Sequence, residues 1–235
     1  MMSLLLHGLA AGDATTPPEA ASHRRIAAGG LVALCTRVEA ARETADSAVA
    51  GALAHNALLV AQSSRGGVLP VRYGTAFSGE AALRQHLSDH AELYHAALLR
   101  IGDAREFGLR LQSLDEMPAD VSRGAPTMPE SGRAFLERGR RRRDRLSEEA
   151  RHRADSADRL ARACAGHARA LAPQARSRRD HLVDVALLVP RGSEEAFHER
   201  VRVARAEAAE VGLQLELSGP WPPYSFADIR EAADA

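Results

Sequence analysis

Apolar positions along this chain recur with two periods, and the period changes from segment to segment. Residues 4–9 form a short apolar run that predicts a first strand, followed by a loop over 13–30 through Thr15-Thr16-Pro17-Pro18. Leu31 to Val38 predicts a second strand, entered through Gly29-Gly30. Residues 46–62 fit a helix with Leu53, Ala57 and Val60 on its apolar face and Asp46 near its N-terminus; Gly66-Gly67 stops it. Val68 to Tyr73 is a short strand-like run, and Pro70 in it points to an edge or a bulge. Ser78 is placed to cap a helix over 79–101, where Leu83, Leu87, Ala91, Tyr94, Leu98 and Ile101 recur at spacings of four and three. Residues 105–112 read as the closing strand of this first unit.

Prolines and polar residues then break the pattern over 116–131, which reads as a linker. A long Arg- and Ala-rich helical region follows over 132–180, its helix running to about Ala172 and ended by Pro173. Its few large apolar residues predict a solvated helix, or one packing through a narrow coiled-coil-like seam. Residues 181–235 form a last unit: a buried strand from Leu182 to Val189, a helix over 193–211 with Phe197, Val201, Ala204, Ala208 and Val211 inward, and an alternating strand from Leu213 to Leu217. The helix serves as a crossover, which predicts parallel strands. The fold class is therefore α+β. Two small sheet domains (1–115 and 181–235), compatible with a ferredoxin-like arrangement, are joined by the linker and the long basic helical region.

Charge sharpens this division. The 31 basic residues are all arginine and balance 31 acids. Segments 1–132, 133–180 and 181–235 carry −3, +8 and −5. The missing lysine excludes Schiff-base chemistry, pyridoxal anchoring and a P-loop. No Gly-x-Ser-x-Gly or Gly-x-Gly-x-x-Gly is present, so the chain reads as non-enzymatic, with no cofactor or small-molecule substrate. The two distant cysteines fit a reduced compartment, the start lacks a basic flank and a long apolar run, and no stretch is long enough to span a membrane, so a cytoplasmic setting is expected. Cys35 and Cys164 match no metal or redox spacing and read as small apolar residues. His86 and His90 are one helical turn apart with His95 following, but no carboxylate or cysteine completes a ligand set, so no metal is assigned. His55, beside Asn56, reads as a packing or capping hydrogen-bonder and not as a catalyst. Arg140, Arg141, Arg142 and Arg143 form a basic surface, but no aromatic alternates with them as a stacking platform. That disfavours nucleic acid, leaving a solvated face or docking to acidic domains of this or another copy.

The densest chemistry lies at Gly219 to Phe226. Pro220, Pro222 and Pro223 stiffen it, and it holds the single Trp of the chain, Trp221, with Tyr224 and Phe226. Such a segment closes a core, presents aromatic faces to a partner, or does both. Arg72 and Tyr73 are secondary candidates for the same partner-binding role.

These residues resemble the gas vesicle accessory proteins of the F/L type. The strand followed by Ser218-Gly219-Pro220-Trp221-Pro222-Pro223-Tyr224-Ser225-Phe226 is similar to the terminal signature of that family. Ala54-His55-Asn56, Val68 to Phe77 and Ser131 to Leu136 match its other segments in order. The resemblance implies two α+β parts around a helical region, and a non-enzymatic role in assembling gas-filled protein shells. It also implies as partners the hydrophobic shell protein, kept from aggregating and helped to nucleate, and other gas vesicle accessory proteins, with location at the vesicle. The alternative without it is an adaptor that binds nucleic acid or another acidic partner through the Arg-rich helix.

Overall fold

A computed structural model describes residues 2–12, 23–39, 45–114, 132–175 and 181–228. The expected linker at 116–131 and the Thr15–Pro18 loop lie outside these residues. Among the described residues the strands form two antiparallel sheets.

The first sheet contains β1 (Met2–Ala11), β2 (Arg24–Ala28), β3 (Leu31–Glu39) and the short β4 (Leu69–Pro70) and β5 (Ala76–Phe77). Its order is β2-β3-β1-β4, with β5 also on β1. Pro70 therefore sits on an edge, where its missing N–H costs no ladder bond. β2 corrects the expected loop over 13–30. Its one large apolar residue, Ile26, gives too weak a pattern to mark a strand, and pairing with β3 makes it one. The two strands join at Gly29-Gly30, where φ of +59° and +74° forms the two-residue turn that matches strand twist.

Leu4, Leu6 and Leu9 of β1 face a core shared with Leu83 and Leu87 of α2 (Glu80–Asp89) and Tyr94, Leu98 and Ile101 of α3 (Ala91–Ile101). The expected single helix over 79–101 is thus two helices broken at His90, whose Nδ1 bonds the carbonyl of His86 at 2.9 Å. The side chain satisfies a helix-end carbonyl, and the bend keeps both apolar stripes on one sheet. Gly79, not Ser78, precedes α2, with no side-chain cap.

A bulge between Leu6 and Gly8 turns His7 and Gly8 away from that core while Leu9 returns to it. α1 (Ala45–Ser63) packs there, with Leu59 against Gly8 and His55 against His7. The helix is correctly placed, but its buried face is His55, Leu59, Gln62 and Ser63. Leu53 and Val60, expected inward, are exposed, as is Ala57. Apolar residues occupy both sides of α1, so periodicity alone could not choose.

The second sheet has the order β7-β8-β6-β9, from β6 (Arg105–Ser113), β7 (Ala170–Pro173), β8 (His181–Val189) and β9 (Leu213–Trp221). β6 is not the closing strand of the first sheet: it is inserted between β8 and β9, antiparallel to both. β8 and β9 therefore run parallel, as expected, but α5 (Glu194–Glu210) crosses over a strand from earlier in the chain. Phe107, Leu109 and Leu111 of β6 form the middle of this core with Leu187, Phe197 and Val201.

α4 (Gly132–Ala165) is one continuous 34-residue helix. It ends before the expected Ala172, because residues 170–173 become edge strand β7 against β8. Ala157, Leu160, Ala161 and Cys164 bury its last third in the second core, while Arg140, Arg141, Arg142 and Arg143 are exposed. The two cores touch through a few specific contacts. Arg169 donates to the carbonyls of Arg100 and Ile101 at 3.1 and 3.2 Å, and Arg191 donates to that of Ser63. Cys35 is buried, which pushes its thiol up to about 12, with Glu80 adding to the effect. Cys164 is also buried and unpaired.

Candidate interaction surface

β9 delivers the aromatic segment. Gly219 takes φ +110°, a backbone state that side chains disfavour, and the Gly219–Pro220 peptide is cis. A Cβ at Gly219 would also meet the Glu106 carbonyl at 2.8 Å, so the segment lies tight against β6. Pro222 and Pro223 are buried, while Trp221 and Tyr224 remain 43% and 42% exposed. Pro220 is exposed like them, so only two of the three prolines are turned inward, and the two aromatics keep much of their surface for something else. The Trp221 indole donates to Ser218 Oγ at 3.3 Å.

Past Tyr224 the chain crosses to the core of the first sheet. Phe226 and Ala227 pack against the first core, and Arg100 donates to the carbonyls of Phe226 and Asp228 at 3.2 and 2.7 Å. Glu106 holds the crossing. Its two carboxylate oxygens accept from the Ser225 amide at 2.7 Å and the Ser225 hydroxyl at 2.8 Å. Burial raises the Glu106 carboxyl above the usual carboxylate range, and the bonds from Ser225 oppose that rise. Sequence reading missed Glu106, since a lone acid in a strand carries no signal of what it faces.

Truncating this acceptor leaves two Ser225 donors without a partner. Glu106→Ala is expected to cost about 1–3 kcal/mol. It should also red-shift the emission of Trp221, which is opposite residue 106 across the ladder. Glu106→Gln, which keeps one oxygen acceptor and adds an N–H donor for the Ser225 hydroxyl, is expected to stay near wild type. Equal emission spectra for Glu106→Ala and wild type would show that the bond does not hold the segment.

The Tyr224 hydroxyl donates to Asn56 Oδ1 of α1 at 3.1 Å. Asn56 lies one helical turn from both Leu53 and Val60, on the edge of the exposed side of α1. That side carries Val49, Leu53 (67% exposed) and Val60, and no charged residue occurs between Asp46 and Arg65. The aromatic segment and the α1 stripe thus meet as one uncharged surface. Its sequence signal was the charge-free run itself, which holds more apolar positions than one buried face needs.

Tyr73 reaches α1 from its other side. Its ring meets that of His55 edge-on at 5.5 Å and lies over Gly51, where a side chain would collide with the hydroxyl. Tyr73 is therefore a packing residue of α1. Arg72 is exposed, and its carbonyl closes a turn by accepting from the Thr75 amide and hydroxyl. His86 shares a 2.7 Å hydrogen bond with the Tyr94 hydroxyl, and His95 bonds the Gly29 carbonyl at 2.8 Å. Both imidazoles thus hold helices in place.

The profile described as "Gas vesicle synthesis protein GvpL/GvpF" matches residues 7–228. The chain belongs to the GvpL/GvpF family of gas vesicle proteins. It is 32% identical over 194 residues to gas vesicle protein L of Streptomyces sp. (strain CB03234), a match covering 77% of this chain and 70% of that protein. Its fold is similar to crystal structures of GvpF from Anabaena sp. PCC7120 (TM-score 0.70, 15% identity, 97% of each chain) and from Microcystis aeruginosa (TM-score 0.67, 14% identity, 96% of this chain and 99% of that one). Two antiparallel sheets with helices make this GvpL/GvpF protein an α+β fold like those crystal structures, and its role is a gas vesicle one. Among the described residues no helix is long and apolar enough to cross a membrane.

Proposed function

We propose that this GvpL/GvpF protein binds the hydrophobic gas vesicle shell protein, limits its aggregation and helps to nucleate the shell. It would act in the cytoplasm and at the vesicle, together with other gas vesicle accessory proteins. The observation that carries this reading is the uncharged surface of α1 continued by Tyr224 and Trp221. Exposed apolar residues grouped on one face mark a contact site, and Trp and Tyr are the side chains that anchor such contacts best. A subunit rich in apolar surface is the guest this face suits, since no buried charge opposes docking.

Leu53→Arg and Trp221→Ala, each folding normally by circular dichroism, test it through co-expression with the shell protein. Each is expected to lower the recovered complex about tenfold, a cost of about 1.4 kcal/mol, and to leave more shell protein in the insoluble fraction. Undiminished capture by both variants would overturn the reading.

A further inference from the structure

The free half of α4 has no role in the surface above. Residues 132–147 extend beyond the second core, an arm of about 24 Å at 1.5 Å per residue. Three features of this arm point in one direction.

The first is continuity. Ala157, Leu160, Ala161 and Cys164 form the stripe that α5 and the sheet cover. Stepping back from Ala157 by seven and four residues, the same side carries Ala150, Leu146, Gly139 and Phe135. Here the stripe is uncovered: Leu146 is 49% exposed and Phe135 67%. The second is where the cover stops. α5 ends at Glu210, and a shallow pocket at that end, lined by Glu148, Glu149, His152, Arg153, Glu210 and Val211, opens onto the arm. The third is charge. Helical spacing sets Arg138, Arg142 and Arg145 along one flank of the stripe and Arg140 and Arg143 along the other. The acids Glu137, Asp144 and Glu148, spaced seven and four apart, lie on the opposite side, while Glu149, seven residues after Arg142, lies on the flank beside the end of α5.

We propose that the arm docks an amphipathic helix of a partner protein, apolar along one face and acidic along both edges, in line with the end of α5. A helix fits because the uncovered stripe continues one that already packs against a helix. Acidic edges fit because arginines line both flanks, and oppositely charged flanks set partner choice in paired helices. A second arm is a poor occupant, since its own arginines would face these. Nucleic acid answers to total basic charge, whereas here the basic residues frame an apolar line; an anionic lipid surface takes a broad apolar face, whereas the large apolar residues exposed on the arm are Phe135, Leu136 and Leu146.

The probe is a synthetic 21-residue heptad peptide with Leu at the two core positions and Glu at the flanking ones; the control carries Lys at the flanks. Binding to the full chain is followed by fluorescence anisotropy at low and physiological salt. Leu146→Asp and Arg143→Glu are expected to weaken the acidic peptide about tenfold, while Arg141→Glu, the same charge change on the far side, shifts it less than about twofold. The Lys peptide is expected not to bind. Equal loss with Arg141→Glu and Arg143→Glu would overturn the proposal in favour of simple polyanion attraction. So would failure of the acidic peptide while duplex DNA or phosphatidylglycerol vesicles bind. Salt-sensitive self-association that Leu146→Asp abolishes would assign the arm to a second copy and overturn it as well.

Discussion

A fragment covering residues 116–235 is expected not to fold, whereas one covering 104–235 is expected to unfold cooperatively. The two differ by the strand that pairs with both β8 and β9. Across β6 the ladders run from Arg105 to Gln112 on one side and from Glu106 to Ser113 on the other, so its loss strands both neighbours. Phe107, Leu109 and Leu111 are 1%, 0% and 0% exposed. Burying each contributes about 2 kcal/mol, so their removal forfeits about 6 kcal/mol. That is as large as the whole stability of many domains, about 5–15 kcal/mol. Near-ultraviolet circular dichroism and the emission of Trp221 distinguish a packed fragment from a collapsed one. A sharp, native-like unfolding transition for 116–235 would show that β6 is dispensable to the second sheet.

Acidification is expected to weaken the packing of the first sheet against α1 through His7. Its Nδ1 shares a 2.9 Å hydrogen bond with His55 Nδ1, and its Nε2 is 2.9 Å from Thr36 Oγ1. One ring must donate and the other accept, so the pair is built for neutral imidazoles. Burial first, then the neighbouring His55 and His23, lowers His7 from 6.5 to about 4. Burial also lowers His55, against the opposing effect of a hydrogen bond to the Val71 backbone. The sign follows from proton counting. As pH falls through 6.5 the unfolded chain protonates at His7 and the folded chain does not, so stability falls with pH until about 4 and then levels for this group. At 1.36 kcal/mol per unit the loss is about 3 kcal/mol, and His55 adds to it in the same direction. Urea melts at pH 7, 5.5 and 4 measure it, and His7→Leu separates it from the carboxylates. The variant is expected to start less stable and to lose less on acidification. Matching slopes for wild type and His7→Leu would sink the assignment.

Both predictions concern features that no local pattern announces. β6 has the alternation of a strand, so its existence was legible; its sheet was not, because alternation says nothing about partners distant in the chain. α1 was legible as a helix, but Leu53 and Val60 face out, since His7 on the β1 bulge makes a polar His55 the better inward residue. The break at His90 depends on one side chain reaching a carbonyl, and β7 exists because β8 offers it an edge.

The sequence by itself determined the α+β class, the places of most helices and strands, the basic helix and the signature that places the chain in the GvpL/GvpF family. Those features rest on composition and on short-range periods of two and 3.6, which a single segment carries alone. The tertiary structure alone decided how Gly219 to Phe226 is used: Pro222 and Pro223 inward, Pro220, Trp221 and Tyr224 outward, Ser225 held by Glu106 and Phe226 seated against the other core. It also decided that α1 supplies the surface beside them. Each depends on which distant residues meet, and burial is a property of the meeting, not of the residue.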